Sequence, residues 1–207
     1  MIHKSFECYK ELMNEEIKNR ELKINKSLVS GLDEIVRVYE IFLKNTDYLK
    51  EIKEIVYTIK NIEDFCHELK KYQNEKNFYC TGFYISKLIN NIIKNDEEII
   101  LDLTELEKEI TDIGRGLKRG RVVIKGYAGE HIGNSMEGGD IVIYGNVGHR
   151  LGRNMKGGEI TINGYTDDFV GIFMTGGKIY LNGKYESISG LIEGGEIYHK
   201  GKLIWPK

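Results

Sequence analysis

Apolar residues follow two different rhythms along the 207-residue chain. Up to about residue 95 they recur every three or four positions among lysines and glutamates, the spacing of helices with one buried face. Residues 4–19 carry Phe6, Tyr9, Leu12, Met13 and Ile17 in this way. Ser30 suits an N-cap for a helix to about Leu43, with Leu32, Ile35, Val36, Tyr39 and Phe42 on its buried face. Thr46 predicts a third segment with Leu49, Ile52, Ile55, Val56 and Ile59. Asn61 predicts a fourth with Ile62, Phe65, Cys66 and Leu69. After a polar loop at 73–77, Thr81 predicts the cap of a fifth, 82–94, with Tyr84, Ile85, Leu88, Ile89 and Ile92. Short connections predict antiparallel neighbours in a small bundle over residues 1–95.

From residue 96 the rhythm changes to alternation. EIILDL at 98–103 predicts a first strand, with 104–112 as a connector that has room for one helical turn. Five similar blocks then start at Ile113, Ile132, Leu151, Val170 and Ile188, 19 residues apart and finally 18. Each ends in an alternating run: Val122 and Ile124, Ile141 and Ile143, Ile160 and Ile162, Ile179 and Leu181. A coil this short has no room for a strand, a helix and two turns, which need about 30 residues. It has room for short strands and sharp corners, so stacked coils give parallel strands and a repeat fold. Glycine pairs precede the strands at Gly138–Gly139, Gly157–Gly158, Gly176–Gly177 and Gly194–Gly195. These read as structural corners that need positive φ or close backbone approach. Met136, Met155 and Met174, with Leu117 and Ile192 at the ends, read as one interior ladder; Ile132, Leu151, Val170 and Ile188 read as another. The chain is thus α+β in two segments: a helical bundle, 1–95, then a right-handed parallel β-helix of five to six coils, 96–207. The tail LIWPK places Leu203, Ile204 and Trp205 where they can cover the last coil.

The outward strand positions are Val123, Val142, Thr161, Tyr180 and Tyr198. Coils about 4.8 Å apart align them into a stripe roughly 20 Å long. An outward apolar stripe calls for a cover, either the helical half or another protein. If nothing in the chain covers it, it is an interaction stripe with the tyrosines as anchors.

The net charge of −2 gives no footprint for nucleic acid or an anionic membrane. No apolar run reaches the roughly 20 residues of a membrane span, and residues 1–20 do not read as a signal peptide. Cys8, Cys66 and Cys80 are odd in number and widely spaced, which predicts a reducing, cytoplasmic setting and no metal or redox pair. No nucleophile elbow, zinc-protease helix or phosphate loop is present. His131 and His149 sit in equivalent loops of adjacent coils, one position out of register. A metal shared between them would need a third ligand such as Glu130 or Asp168; solvated loop histidines are the plainer reading. Asp167–Asp168 reads as a turn-forming pair, and His199 falls on an inward position of the last coil. These readings leave the catalytic residues unknown and predict no cofactor.

The motif Gly133-x-x-Met136-x-Gly138-Gly139-x-Ile141-x-Ile143-x-Gly145 and its copies resemble the GXGXG β-helix. That domain ends the large chain of glutamate synthase and makes up most of one component of formylmethanofuran dehydrogenase. The loop Gly164-Tyr165-Thr166-Asp167-Asp168-Phe169-Val170-Gly171 is similar to the former, and the stretch 145–158 to both. The resemblance covers half the chain and not the helices. It implies a non-catalytic scaffold or assembly subunit of an oxidoreductase complex, whose partners are other protein subunits or further copies of the chain. The alternative is an enzyme or small-molecule binding protein with a site between the halves, near 79–84 and the coil loops.

Overall fold

The computed structural model describes residues 31–46, 49, 52 and 55–206. The helix expected at 4–19 lies outside these residues. Three regular helices are described: α1 (Gly31–Lys44), α2 (Ile59–Glu68) and α3 (Thr81–Ile92). Two 3₁₀ turns, Leu69–Tyr72 and Phe78–Cys80, separate α2 from α3. α1 begins one residue after the expected cap.

The expected third segment is not one regular helix. Residues 55–58 are non-helical and Ile59 already belongs to α2. The cause is a capping box: Thr58 Oγ1 accepts from Asn61 N–H at 3.3 Å, while Asn61 Oδ1 accepts from Thr58 N–H at 3.0 Å. Asn61 therefore lies three residues inside the helix and Thr58 is the cap. Thr81 also lies inside its helix. Its hydroxyl is within 2.5 Å of both Phe78 O and Tyr39 Oη, so it caps the preceding turn rather than α3.

The bundle core is aromatic. Tyr39 packs edge-on against Phe65 at 4.9 Å, and Tyr84 lies 5.1 Å from Tyr39. Both buried hydroxyls are satisfied, Tyr84 donating to Ile35 O at 2.6 Å. Burial pushes the Tyr39 phenol well above its ordinary range.

The second segment is a parallel β-solenoid of about five turns. One seven-stranded sheet runs β1 (Glu98–Asp102), β2 (Arg121–Lys125), β3 (Asp140–Tyr144), β4 (Glu159–Ile162), β5 (Thr175–Leu181), β6 (Gly194–His199) and β7 (Lys202–Trp205) in sequence order. Strands β1 to β6 are parallel; β7 turns back antiparallel on β6. Register follows the repeat, with Ile141, Ile160 and Ile179 in one column. That column, its Ile143–Ile162–Leu181 companion and the methionine ladder are buried. An unforeseen column, Ala128, Val147, Thr166 and Tyr185, pairs through single bridges. Residues 104–112 contain turns and no helix.

The close stacking leaves no room for side chains at some corners. A Cβ at Gly145 would lie 1.9 Å from Gly126 O, and one at Gly138 2.5 Å from Lys118 O. The tail forms the second strand of a hairpin instead of lying flat over the last coil. Ile204 and Trp205 pack on the core, and Leu203 is exposed.

The described helices cover the first coil. Glu63 Oε1 accepts from Ile100 N–H at 3.0 Å on the outer edge of β1. Gly82 approaches Thr111 so closely that a Cβ would lie 1.8 Å from its carbonyl oxygen. Gln73 Oε1 accepts from Glu107 and Lys108 N–H at 2.6 and 3.1 Å. One apolar cluster runs without a break from Ile35 in α1 to Ile197 in β6.

Candidate functional site

Four of the five solenoid blocks follow directly on a sharp corner. The residue there is left-handed although it is not glycine: Asp112 (φ 60°), His131 (61°), Arg150 (59°) and Phe169 (58°). Such backbone costs on the order of 1–3 kcal/mol per residue for side chains with a Cβ. Stacking holds it in place, since His131 N–H donates to His149 O and Arg150 N–H to Asp168 O in the next coil.

The first two members of this column are almost fully buried, Asp112 at 1% and His131 at 2% exposure. Asp112 Oδ1 accepts from Arg115 Nη1 at 3.0 Å and from Asn134 Nδ2 at 3.1 Å. Its Oδ2 faces His131 Nδ1 at 3.7 Å, and neither atom has a closer partner. Arg150 Nη1 lies 3.5 Å from His131 Nε2 and 3.6 Å from Glu130 Oε2. A guanidinium only donates, so Nε2 is the accepting atom of this contact. Four charges of alternating sign, Arg115, Asp112, Arg150 and Glu130, thus surround one imidazole.

This corner also joins the two halves. Ser86 Oγ in α3 donates to Asp112 O at 3.0 Å and accepts from Arg115 N–H at 3.2 Å. Asn90 donates to Arg115 O at 3.0 Å, and Thr111 Oγ1 donates to Tyr79 O at 3.0 Å. The Arg115 guanidinium lies 4.9 Å from the Phe83 ring centre. Of the polar groups near 79–84, the Tyr79 carbonyl serves the seam, while the Thr81 and Tyr84 hydroxyls bond within the bundle.

On the outer side of the same corner His149 sits between two carboxylates, Nδ1 at 2.5 Å from Asp168 Oδ1 and Nε2 at 3.4 Å from Asp167 Oδ2. Partial burial disfavours its charged form. The bond to Asp168 and the charges of Asp167, Asp168 and Glu130 outweigh that and raise its pKa above the usual 6.5. His131 and His149 therefore turn to different partners and do not converge. Among the described residues no group of three or more His, Cys, Asp and Glu side chains is placed to hold a metal ion. His199 Nε2 lies 3.0 Å from Gly183 O, and its ring meets Tyr185 edge-on at 5.1 Å. Cys66 is a buried thiol raised by burial to about 12, and Cys80 is disulfide-bonded.

The stripe positions lie in register: Ile100, Val123, Val142, Thr161, Tyr180 and Tyr198. Ile100 is an addition to the sequence reading. Exposure is 7% at Val123 and 8% at Val142, and rises at Thr161, Tyr180 and Tyr198. The Tyr180 and Tyr198 rings stack at 5.1 Å and 18°. The second glycine of each pair is left-handed (Gly139, Gly158, Gly177, Gly195), and the first lies against the backbone of the coil before.

Sequence reasoning missed Asp112, Arg115, Asn134 and Ser86. The signal for Asp112 was present, because Asp112, His131, Arg150 and Phe169 recur 19 residues apart, each just before an apolar-Gly pair. Asn134 holds the third position of its block, where Arg115, Arg153 and Ile172 stand in three of the others, but that position is not one residue type; Ser86 belongs to no repeated pattern.

The chain matches no protein-family model, no curated protein and no solved structure.

Proposed function

We propose that the chain is a non-catalytic scaffold or assembly subunit of the GXGXG β-helix type, which docks a protein partner on the outward face of its sheet. One observation carries this reading. The six outward positions form a straight column whose end at Thr161, Tyr180 and Tyr198 is only partly covered, while the described helices pack on the edge of β1. A rigid sheet that presents stacked tyrosines at fixed spacing suits a large rigid partner. The resemblance of the repeats to glutamate synthase and formylmethanofuran dehydrogenase supports a place in an oxidoreductase assembly. A second reading, a catalytic or binding site between the halves, draws on the buried Asp112–His131 pair. It ranks lower because Arg115, Asn134 and Arg150 already surround that pair.

The test is affinity purification of the full chain from its source cells, wild type beside Tyr180→Glu, with thermal melting of both. Stoichiometric loss of a co-purifying protein at unchanged melting temperature is the expected result. Equal retention by both forms overturns the docking role of the stripe.

A further inference from the structure

The left-handed corner changes character along the stack. Its first column runs Asp112, His131, Arg150, Phe169, from buried polar to exposed aromatic. Four residues on, a second left-handed column runs Gly116, Ser135, Asn154, Phe173, and Phe173 N–H donates to Leu191 O in the last coil. Phe169 is 45% exposed, Phe173 40% and Leu191 58%. Both phenylalanines have φ of 58°. A bulky residue rarely adopts that conformation; here Phe169 N–H donates to Ser187 Oγ at 3.2 Å and Phe173 N–H to Leu191 O, but neither ring is buried to offset the cost. Two strained and exposed aromatics at one corner mark a surface that is covered when the protein works.

The charges beside this patch identify what covers it. Lys156, Thr175 and Glu193 occupy one position in successive coils, with N–H groups bonded at 2.8 Å to Met136 O, Met155 O and Met174 O. All three are exposed, and among the described residues neither Lys156 nor Glu193 forms an ion pair. A cation therefore sits one coil before that of Phe173 and an anion one coil after it, both in the column of Thr175, two residues along the chain from Phe173. A two-fold axis lying in the interface along this coil places the coil of Lys156 against the partner's coil of Glu193. Phe169 and Phe173 then meet their own counterparts, and Lys156 meets the partner's Glu193 twice. A self-complementary patch of this kind is what an isologous contact requires.

We propose that two copies of this chain associate through the corner formed by Phe169, Phe173 and Leu191, with the Lys156–Glu193 pairs at its rim. The surface lies off the Val123–Tyr198 stripe and does not rest on the docking role proposed for that stripe.

Sedimentation velocity of the full chain over a concentration series tests this. The wild type is expected to form a concentration-dependent dimer. Phe173→Asn is expected to be monomeric with an equal or higher melting temperature, because Asn154 already holds the same position at φ 53°. Lys156→Glu and Glu193→Lys should each weaken the dimer by on the order of tenfold, through two like-charge pairs. An equimolar mixture of those two variants should restore the dimer, since opposite charges then meet at both rims. A wild type that is monomeric throughout, a Phe173→Asn variant that dimerises like the wild type, or a mixture that stays dissociated overturns the proposal. Tyr180→Glu leaves this dimer intact, so failure of the stripe and failure of the corner are read separately.

Discussion

The helical segment and the solenoid build their buried cores by opposite means. Between α1, α2 and α3 no contact is repeated: Tyr39, Phe65 and Tyr84 meet once each, at angles set by their own shapes. In the solenoid the strand and corner contacts of the backbone recur one coil away, and the tightest ones are between backbones. A core of single contacts can relax around a lost group by shifting side chains. A stack of coils has no side chain to shift where backbone meets backbone, so an added methyl group must separate the coils.

The largest effect should therefore come from the smallest substitution. Gly145→Ala places a Cβ 1.9 Å from Gly126 O and should destabilise the chain by on the order of 4 kcal/mol, read by urea denaturation. A loss below about 1 kcal/mol would show that coils can part and would erase the contrast with the helices. Gly82→Ala, at the seam, should cost on the order of 2–4 kcal/mol. Hydrogen exchange should show Ile100 N–H, held by Glu63, losing protection while the β3–β4 amides keep theirs. Equal loss in both places would mean that the two segments are one cooperative unit. Thr58→Ala removes one half of the capping box and should cost about 1 kcal/mol, with the change in exchange confined to the first turn of α2.

The smallest effect concerns pH. His149 has a raised pKa in the folded chain, so its contribution is fully present below about 6.5 and is lost as pH rises through the folded value. Its side chain is 40% exposed, which limits the gain to a few tenths of a kcal/mol. The stability difference between wild type and His149→Gln should shrink from pH 6 to pH 8. A difference that grows with pH would mean that His149 is held neutral.

The solenoid was legible because its information is redundant. Ile141, Ile160 and Ile179 are the same residue at the same spacing, so a single misread block would not have changed the register. The helices carry fewer independent signs, and a cap is easily misassigned where two candidates lie three residues apart. Thr58 and Asn61 bond to each other reciprocally, and only the extended backbone of Thr58 shows which lies outside the helix. The seam was illegible for a different reason. Ser86, Thr111 and Asp112 are ordinary polar residues whose partners lie 26 to 32 positions away, at separations no local pattern records. The shift of the corner column from Asp112 to Phe169 was visible as letters, but its left-handed backbone was not, since neither residue is a glycine.

The in-register columns also make length a quantity that changes in whole steps. The described helices grip the first coil, through β1 and the Asp112 corner, and the β7 hairpin grips the last. A duplicate of residues 132–150, one 19-residue unit, inserted before Leu151 would find matching columns above and below it. It would move the two ends apart by about 4.8 Å without altering either. The protein is in this sense a graduated spacer: tandem duplication within the gene would set the separation of its two ends one coil at a time.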